Sequence, residues 1–265
     1  MSLGRKEILE EMGISPLWVR RDSSPVAKAK LAELSVQVPV RRDIAPPTVE
    51  GYVPVVDSGA CVEKADASAN GVSGMGWDEL RRSIADCRAC GLCAERKQAV
   101  PGVGDENAGW LFIGEGPGAE EDARGEPFVG QAGKLLDSML AAIGLKRGED
   151  VYIANAVKCR PPGNRTPEST EMATCFPFLA RQIALIQPRL IILLGRAAVS
   201  SVLHEDGSLA SLRGKALSFH DGEKEIPVLV TYHPAYLLRN LPDKAKAWED
   251  LCRARAIMRT LPQKQ

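Results

Sequence analysis

The sequence lacks an excess of charge of either sign. Lys and Arg together number 34, and Asp and Glu together also number 34, so the formal net charge is zero. This excludes a protein that binds nucleic acid through overall basicity, as many strongly basic proteins do. Any contact with DNA or RNA must come from a local basic patch.

Long apolar runs are also missing. No stretch approaches the roughly 18 consecutive apolar residues of a membrane span, and the opening MSLGRKEILEEMGI is charged and unlike a secretion signal. We therefore expect a cytoplasmic protein. In that reducing compartment, seven cysteines favour metal binding, catalysis or burial over a disulfide framework.

The N-terminal quarter has few large apolar side chains. A short helix is predicted over residues 7–12, and residues 22–76 contain five prolines, the run NGVSGMG and a single aromatic residue, Tyr52. Such a composition buries too little apolar surface to offset the entropy of ordering the chain. We expect residues 1–76 to form a largely disordered extension and linker, and residues 77–265 to form the folded domain.

From Trp77 onward, short apolar runs alternate with segments of helical periodicity. The predicted helices are WDELRRSIADC, AGKLLDSMLAAIGL, a segment from Pro167 through FLARQIALI, AAVSSVL and DKAKAWEDLCRARAIM. The predicted strands span residues 110–115, 151–155, 189–195 and 227–232. This order predicts an α/β fold, a three-layer α/β/α sandwich with a central four-stranded parallel sheet.

Ligands of such sheets bind at the carboxyl ends of the strands. The segments at these ends are GEGPG after the first strand, Asn155 and the loop to Cys159 after the second, Gly195 after the third, and His233 after the fourth. The sequence therefore predicts a functional site where these four segments meet.

Four cysteines form two candidate pairs. Cys87 and Cys90 have C-x-x-C spacing, and Cys159 and Cys175 are separated by fifteen residues that include Pro161. Two such pairs predict a site with four thiolate ligands. Spacing alone does not separate zinc from an iron-sulfur cluster, and buried free thiols are the non-functional alternative.

The other three cysteines are interpreted differently. In CRACGLC, Cys93 could pair with Cys90 in place of Cys87, although a four-ligand site needs only one of these two arrangements. Cys61 in the linker and Cys252 on the last helix are expected to be free thiols.

Three segments carry a resemblance to a known family. GEGPGAEEDARGEPFVGQAGKLL, NAVKCRPPGNRTP and TYHPAYLLR, in this order, resemble the family-4 uracil-DNA glycosylases, the iron-sulfur branch of the uracil-DNA glycosylase superfamily. The resemblance covers residues from about 87 to 248 and leaves the N-terminal extension outside.

The resemblance implies a DNA-repair activity. The protein would flip uracil out of single- or double-stranded DNA and hydrolyse its N-glycosidic bond, leaving an abasic site. It would carry a [4Fe-4S] cluster held by Cys87, Cys90, Cys159 and Cys175, whereas Cys93 matches no ligand of the family. A monomer is expected.

Four residues match the family's central site positions. Phe128 would stack on uracil, and Asn155 would read the base edge, because an amide can both donate and accept hydrogen bonds. His233 would donate to the departing base, and Glu115 would act on water or on the cationic sugar. The alternatives are a core Phe, a loop-capping Asn and a buried structural His.

Further positions match the family around the pocket. Gly116 replaces an aspartate that other branches carry, which would leave water activation to Glu115. Glu121 and Asn164 match supporting positions, with exposed loop residues as the alternative reading. VKCRPPGNRTP has neither the inserted basic loop nor the histidine of a branch that forms a covalent adduct with DNA, so we expect hydrolysis with turnover.

The segment after His233 is predicted to hold DNA. Leu237 and Leu238 would act as wedges in the vacated base stack, and Arg239 would contact phosphate, unless these residues simply begin an amphipathic helix. The predicted basic rim consists of Arg124, Lys158, Arg160 and Arg165.

Two other functions remain open from the sequence. A non-catalytic nucleic-acid-binding module would keep the cysteines and the basic rim but would not need Glu115 or His233. A zinc-stabilised hydrolase of free nucleotides would use the same four thiolates for a different metal.

Overall fold

A computed structural model of the chain describes residues 69–205, 207–222 and 224–264. The predicted helix over residues 7–12, the proline-rich stretch and Cys61 lie outside the described residues. Within the described ranges, no helix is both long enough and apolar enough to cross a membrane.

Helices and strands alternate along the described chain. The strands are β1 (Val103–Gly104), β2 (Trp110–Gly114), β3 (Val151–Asn155), β4 (Leu190–Leu194), β5 (Leu217–Asp221) and β6 (Lys224–Thr231). The α-helices are α1 (Ala69–Val72), α2 (Trp77–Asp86), α3 (Ala119–Arg124), α4 (Gln131–Ala142), α5 (Ser169–Ile186), α6 (Arg196–Leu203), α7 (Leu209–Leu212), α8 (Pro234–Arg239) and α9 (Lys244–Thr260). Short 3₁₀ turns span Gly91–Cys93, Pro162–Asn164 and Leu241–Asp243.

The strands form one sheet in the order β1-β3-β2-β4-β6-β5. The four central strands pair in parallel, and the flanking strands β1 and β5 pair antiparallel to β3 and β6. The predicted parallel core is confirmed, and the two antiparallel edge strands extend it. Because β3 and β4 flank β2 on opposite sides, a crevice is expected at the carboxyl end of β2.

Helices cover both faces of the sheet. One face buries Leu111, Ile113, Ile191 and Leu193 against α5 and α6. The other face buries the alternating residues, such as Phe112 and Ile192, against α4 and α9. This is the predicted three-layer α/β/α arrangement, in which strands buried on both faces appear as continuous apolar runs.

The packed structure begins before the predicted boundary at residue 77. Val72, in the short helix α1, is buried in a cluster with Leu80 and Cys175, and the Met75 carbonyl accepts a hydrogen bond of 2.6 Å from the Arg181 Nε. The sequence around Val72 did not predict this packing because one apolar residue creates no periodic pattern.

An ion pair with a buried carboxylate holds the carboxyl end of β6. Asp250 of α9 accepts hydrogen bonds from the Thr231 Oγ1 at 2.7 Å and from the Arg213 Nε at 2.7 Å. The Arg213 guanidinium also lies over the Tyr232 ring, 4.8 Å from its centroid. These contacts hold the two residues that directly precede His233.

Candidate active site and cysteine cluster

A cavity of about 720 Å³ opens at the carboxyl edge of the sheet. Its walls come from the segments that follow all four parallel strands. The seven residues that were predicted for catalysis and base binding all line it: Glu115, Gly116, Glu121, Phe128, Asn155, Asn164 and His233. The cavity is large enough for a small ligand with its surrounding water.

Asn155 ends β3 and is almost fully buried. Its side-chain Oδ1 is a buried atom without a hydrogen-bond partner among the described residues. A buried acceptor left unpaired costs about 1–3 kcal/mol, so this atom suits a ligand that brings an N–H group. In the parallel register, Asn155 pairs with Gly114 at the end of β2.

Gly114 makes room for the two side chains that face each other over it. A Cβ atom at this position would lie 2.5 Å from the Asn155 Oδ1 and 2.5 Å from the Phe128 Cζ. No side chain fits there without displacing the amide or the ring. The glycine therefore allows the amide of Asn155 and the ring of Phe128 to lie close together.

Phe128 has a left-handed backbone conformation, with φ of +55°. A non-glycine residue in this region is strained, and such strain persists where surrounding contacts enforce it. The Arg147 guanidinium donates to the carbonyl oxygens of Pro127 and Phe128, each at 2.8 Å. These hydrogen bonds hold the loop so that Phe128 lines the cavity. Its exposed fraction is 6%.

Glu121 organises the loop that carries Phe128. Its Oε1 accepts from the backbone N–H groups of Val129 at 2.9 Å and Gly130 at 3.0 Å, and its Oε2 accepts from Gly118 at 3.1 Å. The carboxylate thus joins the GEGPG segment to the Phe128 loop. This role in loop geometry could not be seen from the spacing of the sequence.

His233 lies between β6 and α8 and faces the Phe128 ring, with 5.4 Å between the ring centroids. Its Nδ1 accepts a hydrogen bond from the backbone N–H of Ala235 at 3.2 Å. In the neutral ring the proton is therefore on Nε2. Burial, with help from the positive charge of Arg239, lowers the pKa of His233 to about 4.

Glu115 directly follows β2 and lines the cavity. Burial raises the pKa of its carboxyl, and a side-chain hydrogen bond with Thr166 opposes that shift. Thr166 was not singled out from the sequence. Next to Glu115, a Cβ on Gly116 would lie 2.8 Å from the Val157 Cγ2, so an aspartate would need Val157 to move.

Asn164 reaches the cavity from the 3₁₀ turn after β3. Its backbone is left-handed, with φ of +56°, and its Oδ1 accepts from the Arg160 Nε at 2.7 Å. Asn164 is exposed, in accord with the alternative reading of a loop residue, and it also lines the cavity mouth.

The predicted basic rim is partly wrong. Lys158 is fully buried, and its Nζ donates to the Asn155 carbonyl at 2.8 Å and to the Gln182 Oε1 at 2.7 Å. Burial lowers its pKa to about 8. Arg124 is exposed and Arg160 is half-buried, while Arg165 makes a two-pronged ion pair with Glu171.

One of the two predicted wedges is also wrong. Leu237 is fully buried in a cluster with Tyr232 and Ala247, because it lies on the inward face of α8. Leu238 has an exposed fraction of 42%, and Arg239 is exposed and lines the cavity. The helix therefore presents the second leucine, and not the first, to the outside.

The four predicted ligand cysteines gather in one cluster. Cys159 and Cys175 are buried there, and Cys87 and Cys90 are partly buried against it. They come from three separate elements: the end of α2 with the turn after it, the loop after β3, and α5. Free thiols are found at Cys87, Cys90, Cys159, Cys175 and Cys252.

Polar groups surround these thiols. The Arg96 Nη1 donates to the Cys159 Sγ at 2.8 Å, and its Nη2 donates to the Cys87 carbonyl at 2.9 Å. The backbone N–H of Lys158 donates to the Cys175 Sγ at 3.3 Å. Hydrogen bonds of this kind orient sulfur ligands and stabilise their negative charge. No sequence pattern indicates a role for Arg96.

The thiols are in an environment that disfavours charge in the absence of a cation. Burial raises the pKa of Cys175 to about 12, and burial likewise raises the pKa values of Cys90 and Cys159. Among the described residues, no three His, Cys, Asp or Glu side chains approach closely enough to hold a single metal ion.

Comparison with known proteins assigns the family. A family model described as the uracil DNA glycosylase superfamily matches residues 101–252, more than half of the chain. The matched range includes the seven cavity residues, together with Cys159 and Cys175, and leaves Cys87 and Cys90 outside.

Several individual proteins are similar to this chain over more than two thirds of their own length. A type-4 uracil-DNA glycosylase of Archaeoglobus fulgidus is 46% identical over 165 residues, 61% of this chain and 82% of the relative. A type-4 uracil-DNA glycosylase of Thermotoga maritima is 44% identical over 181 residues, 66% of this chain and 91% of the relative. A type-5 uracil-DNA glycosylase of Thermus thermophilus is 35% identical over 154 residues, 51% of this chain and 68% of the relative.

The environment of His233 predicts how it titrates. Its imidazole should take up a proton only near pH 4, as followed by ¹H–¹⁵N NMR of the ring with His233→Gln to assign the signal. Since the unfolded pKa is 6.5, the unfolded chain binds the proton first, and the free energy of unfolding should fall as pH drops from 6.5 towards 4. A ring that titrates near 6.5 would contradict this burial.

Proposed function

The chain belongs to the uracil-DNA glycosylase superfamily, within its type-4 group, and we propose that it removes uracil from DNA. The reaction would hydrolyse the N-glycosidic bond of a flipped-out nucleotide, release free uracil and leave an abasic site in base excision repair. Single- and double-stranded DNA would both serve as substrates.

The observation that carries this proposal is the unpaired Oδ1 of Asn155 beside the ring of Phe128. Uracil offers an N–H group on its pairing edge, which would satisfy the acceptor, and a flat face, which would stack on the ring. Cytosine carries an unprotonated ring nitrogen at the same place, so it would leave the oxygen unpaired. The pair of side chains thus supports selection for uracil.

His233 would stabilise the departing base. As the glycosidic bond breaks, its electron pair stays on uracil, and negative charge develops on the base oxygens. The Nε2–H of the neutral imidazole is the free donor of His233, because Nδ1 already accepts from Ala235. A preorganised donor in a water-poor site stabilises such charge strongly.

Glu115 would serve the sugar side of the reaction. The water oxygen forms a bond to the anomeric carbon while the glycosidic bond breaks, and the carboxylate would orient this water and accept its proton. Its raised pKa, caused by burial, makes it a better proton acceptor than an exposed carboxylate. Negative charge at Glu115 would also favour the cationic character of the sugar.

The DNA contacts of the proposal lie around the cavity mouth. Leu238 would fill the space that the flipped nucleotide vacates, and Arg239 would contact a phosphate. We further propose that the protein acts as a monomer and that its N-terminal extension is not needed for base release.

The cysteine cluster fits a [4Fe-4S] group held by Cys87, Cys90, Cys159 and Cys175. The four cysteines come from three elements and belong to one packed cluster, and Arg96 and the Lys158 N–H donate to two of the sulfurs. When bound, the cluster would supply iron–sulfur bonds that crosslink α2, α5 and the loop after β3. Deprotonation of the buried thiols would be offset by the iron charge.

The first test of this function is uracil release. The protein should produce abasic sites in a uracil-containing oligonucleotide without added metal, and Asn155→Ala and His233→Ala should each lower kcat/KM by about 100- to 1000-fold. The physical reason is the loss of a polar contact that forms with the base. The measurement is cleavage of the product at abasic sites, followed with time.

Matched controls separate this effect from general damage. Asn107→Ala and His220→Ala change exposed residues outside the cavity lining and should retain activity. Wild-type protein that leaves uracil-containing DNA intact would refute the function, and full activity of Asn155→Ala would refute its role.

The cluster has a test of its own. Purified protein should be brown and contain about four iron atoms per chain, and Cys175→Ser should lose colour and iron. Cys93→Ser is the matched control and should keep both, since Cys93 is not among the proposed ligands. Colourless protein with bound zinc, or iron loss in Cys93→Ser, would overturn the ligand assignment.

A further inference from the structure

Beyond the residues that would touch the base, we propose that Lys158 is a positioning residue for Asn155. Its buried side chain would hold the base-reading amide in place and tie it to the cysteine cluster. This inference rests on the proposed function, in which Asn155 reads uracil.

The Lys158 side chain makes two hydrogen bonds, one of them to the main chain of its own loop. Its Nζ reaches back three residues to the Asn155 carbonyl at 2.8 Å, and it also donates to the Gln182 Oε1 at 2.7 Å. Gln182 is itself fixed, since its Nε2 donates to the Pro101 carbonyl at 2.7 Å. Lys158 therefore anchors the backbone of Asn155 to α5, which contains Gln182.

Backbone hydrogen bonds tie the same run to neighbouring segments. The N–H groups of Ala156 and Val157 donate to the carbonyls of Gly114 at 2.9 Å and Glu115 at 3.2 Å. The Lys158 carbonyl accepts from the Val100 N–H at 2.8 Å. The run from residue 155 to residue 159 thus positions both Asn155 and the segment that carries Glu115.

The other end of the run belongs to the cysteine cluster. The Lys158 N–H donates to the Cys175 Sγ, and Cys159 is the next residue along the chain. Both acceptors of the Nζ are neutral oxygens, and burial of an ammonium among neutral groups is costly, so these two hydrogen bonds matter for holding the side chain inside.

These contacts assign a specific structural role to Lys158. A lysine at this position joins two parts of the protein that lie at opposite ends of a five-residue run: an amide that faces the cavity and the thiols of the cluster. Loss of the Lys158 ammonium should leave the thiols in place but release the Asn155 carbonyl. The Asn155 side chain would then lose its fixed direction into the cavity.

A double-mutant cycle tests this role in the full-length, iron-loaded protein. Lys158→Met should lower kcat/KM for uracil release by about 10- to 100-fold, because a small misplacement of a binding group is enough for such a loss. In the Asn155→Ala background the same change should have almost no further effect, since residues that act through one another are not additive.

Two further readouts separate positioning from general support of the fold. Affinity for free uracil, measured by calorimetry, should fall in Lys158→Met, while iron content should stay at the wild-type level. Lys146→Met, an exposed lysine on the surface, is the matched control and should change none of these quantities. If Lys158→Met does not fold, Gln182→Met replaces it in the double-mutant cycle, because that change removes one acceptor of the Lys158 Nζ.

The outcomes are distinct. If the wild-type protein does not release uracil, the proposed function itself is wrong. With an active wild type, additive losses in the Lys158 and Asn155 variants, or unchanged uracil affinity in Lys158→Met, would overturn the positioning role alone.

Discussion

One buried acceptor, the Oδ1 of Asn155, is the constraint on which the site depends. The protein bears the cost of leaving it without a hydrogen bond, about 1–3 kcal/mol, in a place where a ligand can remove that cost. Gly114 gives the space for this arrangement, and the strained backbone of Phe128 brings an aromatic ring to the same point. The unpaired oxygen therefore lowers the stability of the unbound protein and at the same time favours binding of a ligand that donates to it.

Other parts of the fold keep the Asn155 Oδ1 from moving towards a hydrogen-bond donor of the protein itself. The parallel register fixes Asn155 beside Gly114, and the Lys158 Nζ donates to the main-chain carbonyl of Asn155. Glu121 and Arg147 hold the Phe128 loop through backbone hydrogen bonds. The result is a preorganised pocket, in which binding need not order loose segments.

Much of the fold could be predicted because the central strands are buried on both faces and form continuous apolar runs. The edge strands could not, since β1 has two residues and β5 is only half-buried, so neither gives a clear pattern. The cavity residues follow strand ends, where topology gathers them. Leu237 and Lys158 were misplaced because the inward or outward direction of a side chain in a loop or short helix depends on tertiary packing that no local period records.

The affinity of the protein for free uracil and for 3-methyluracil tests the central claim most directly. The methyl group replaces the N–H that would satisfy the Asn155 Oδ1, so calorimetry should find 3-methyluracil bound about 10- to 100-fold more weakly than uracil. Asn155→Ala should lose most of this difference. Equal affinity of the wild-type protein for the two bases would contradict the account.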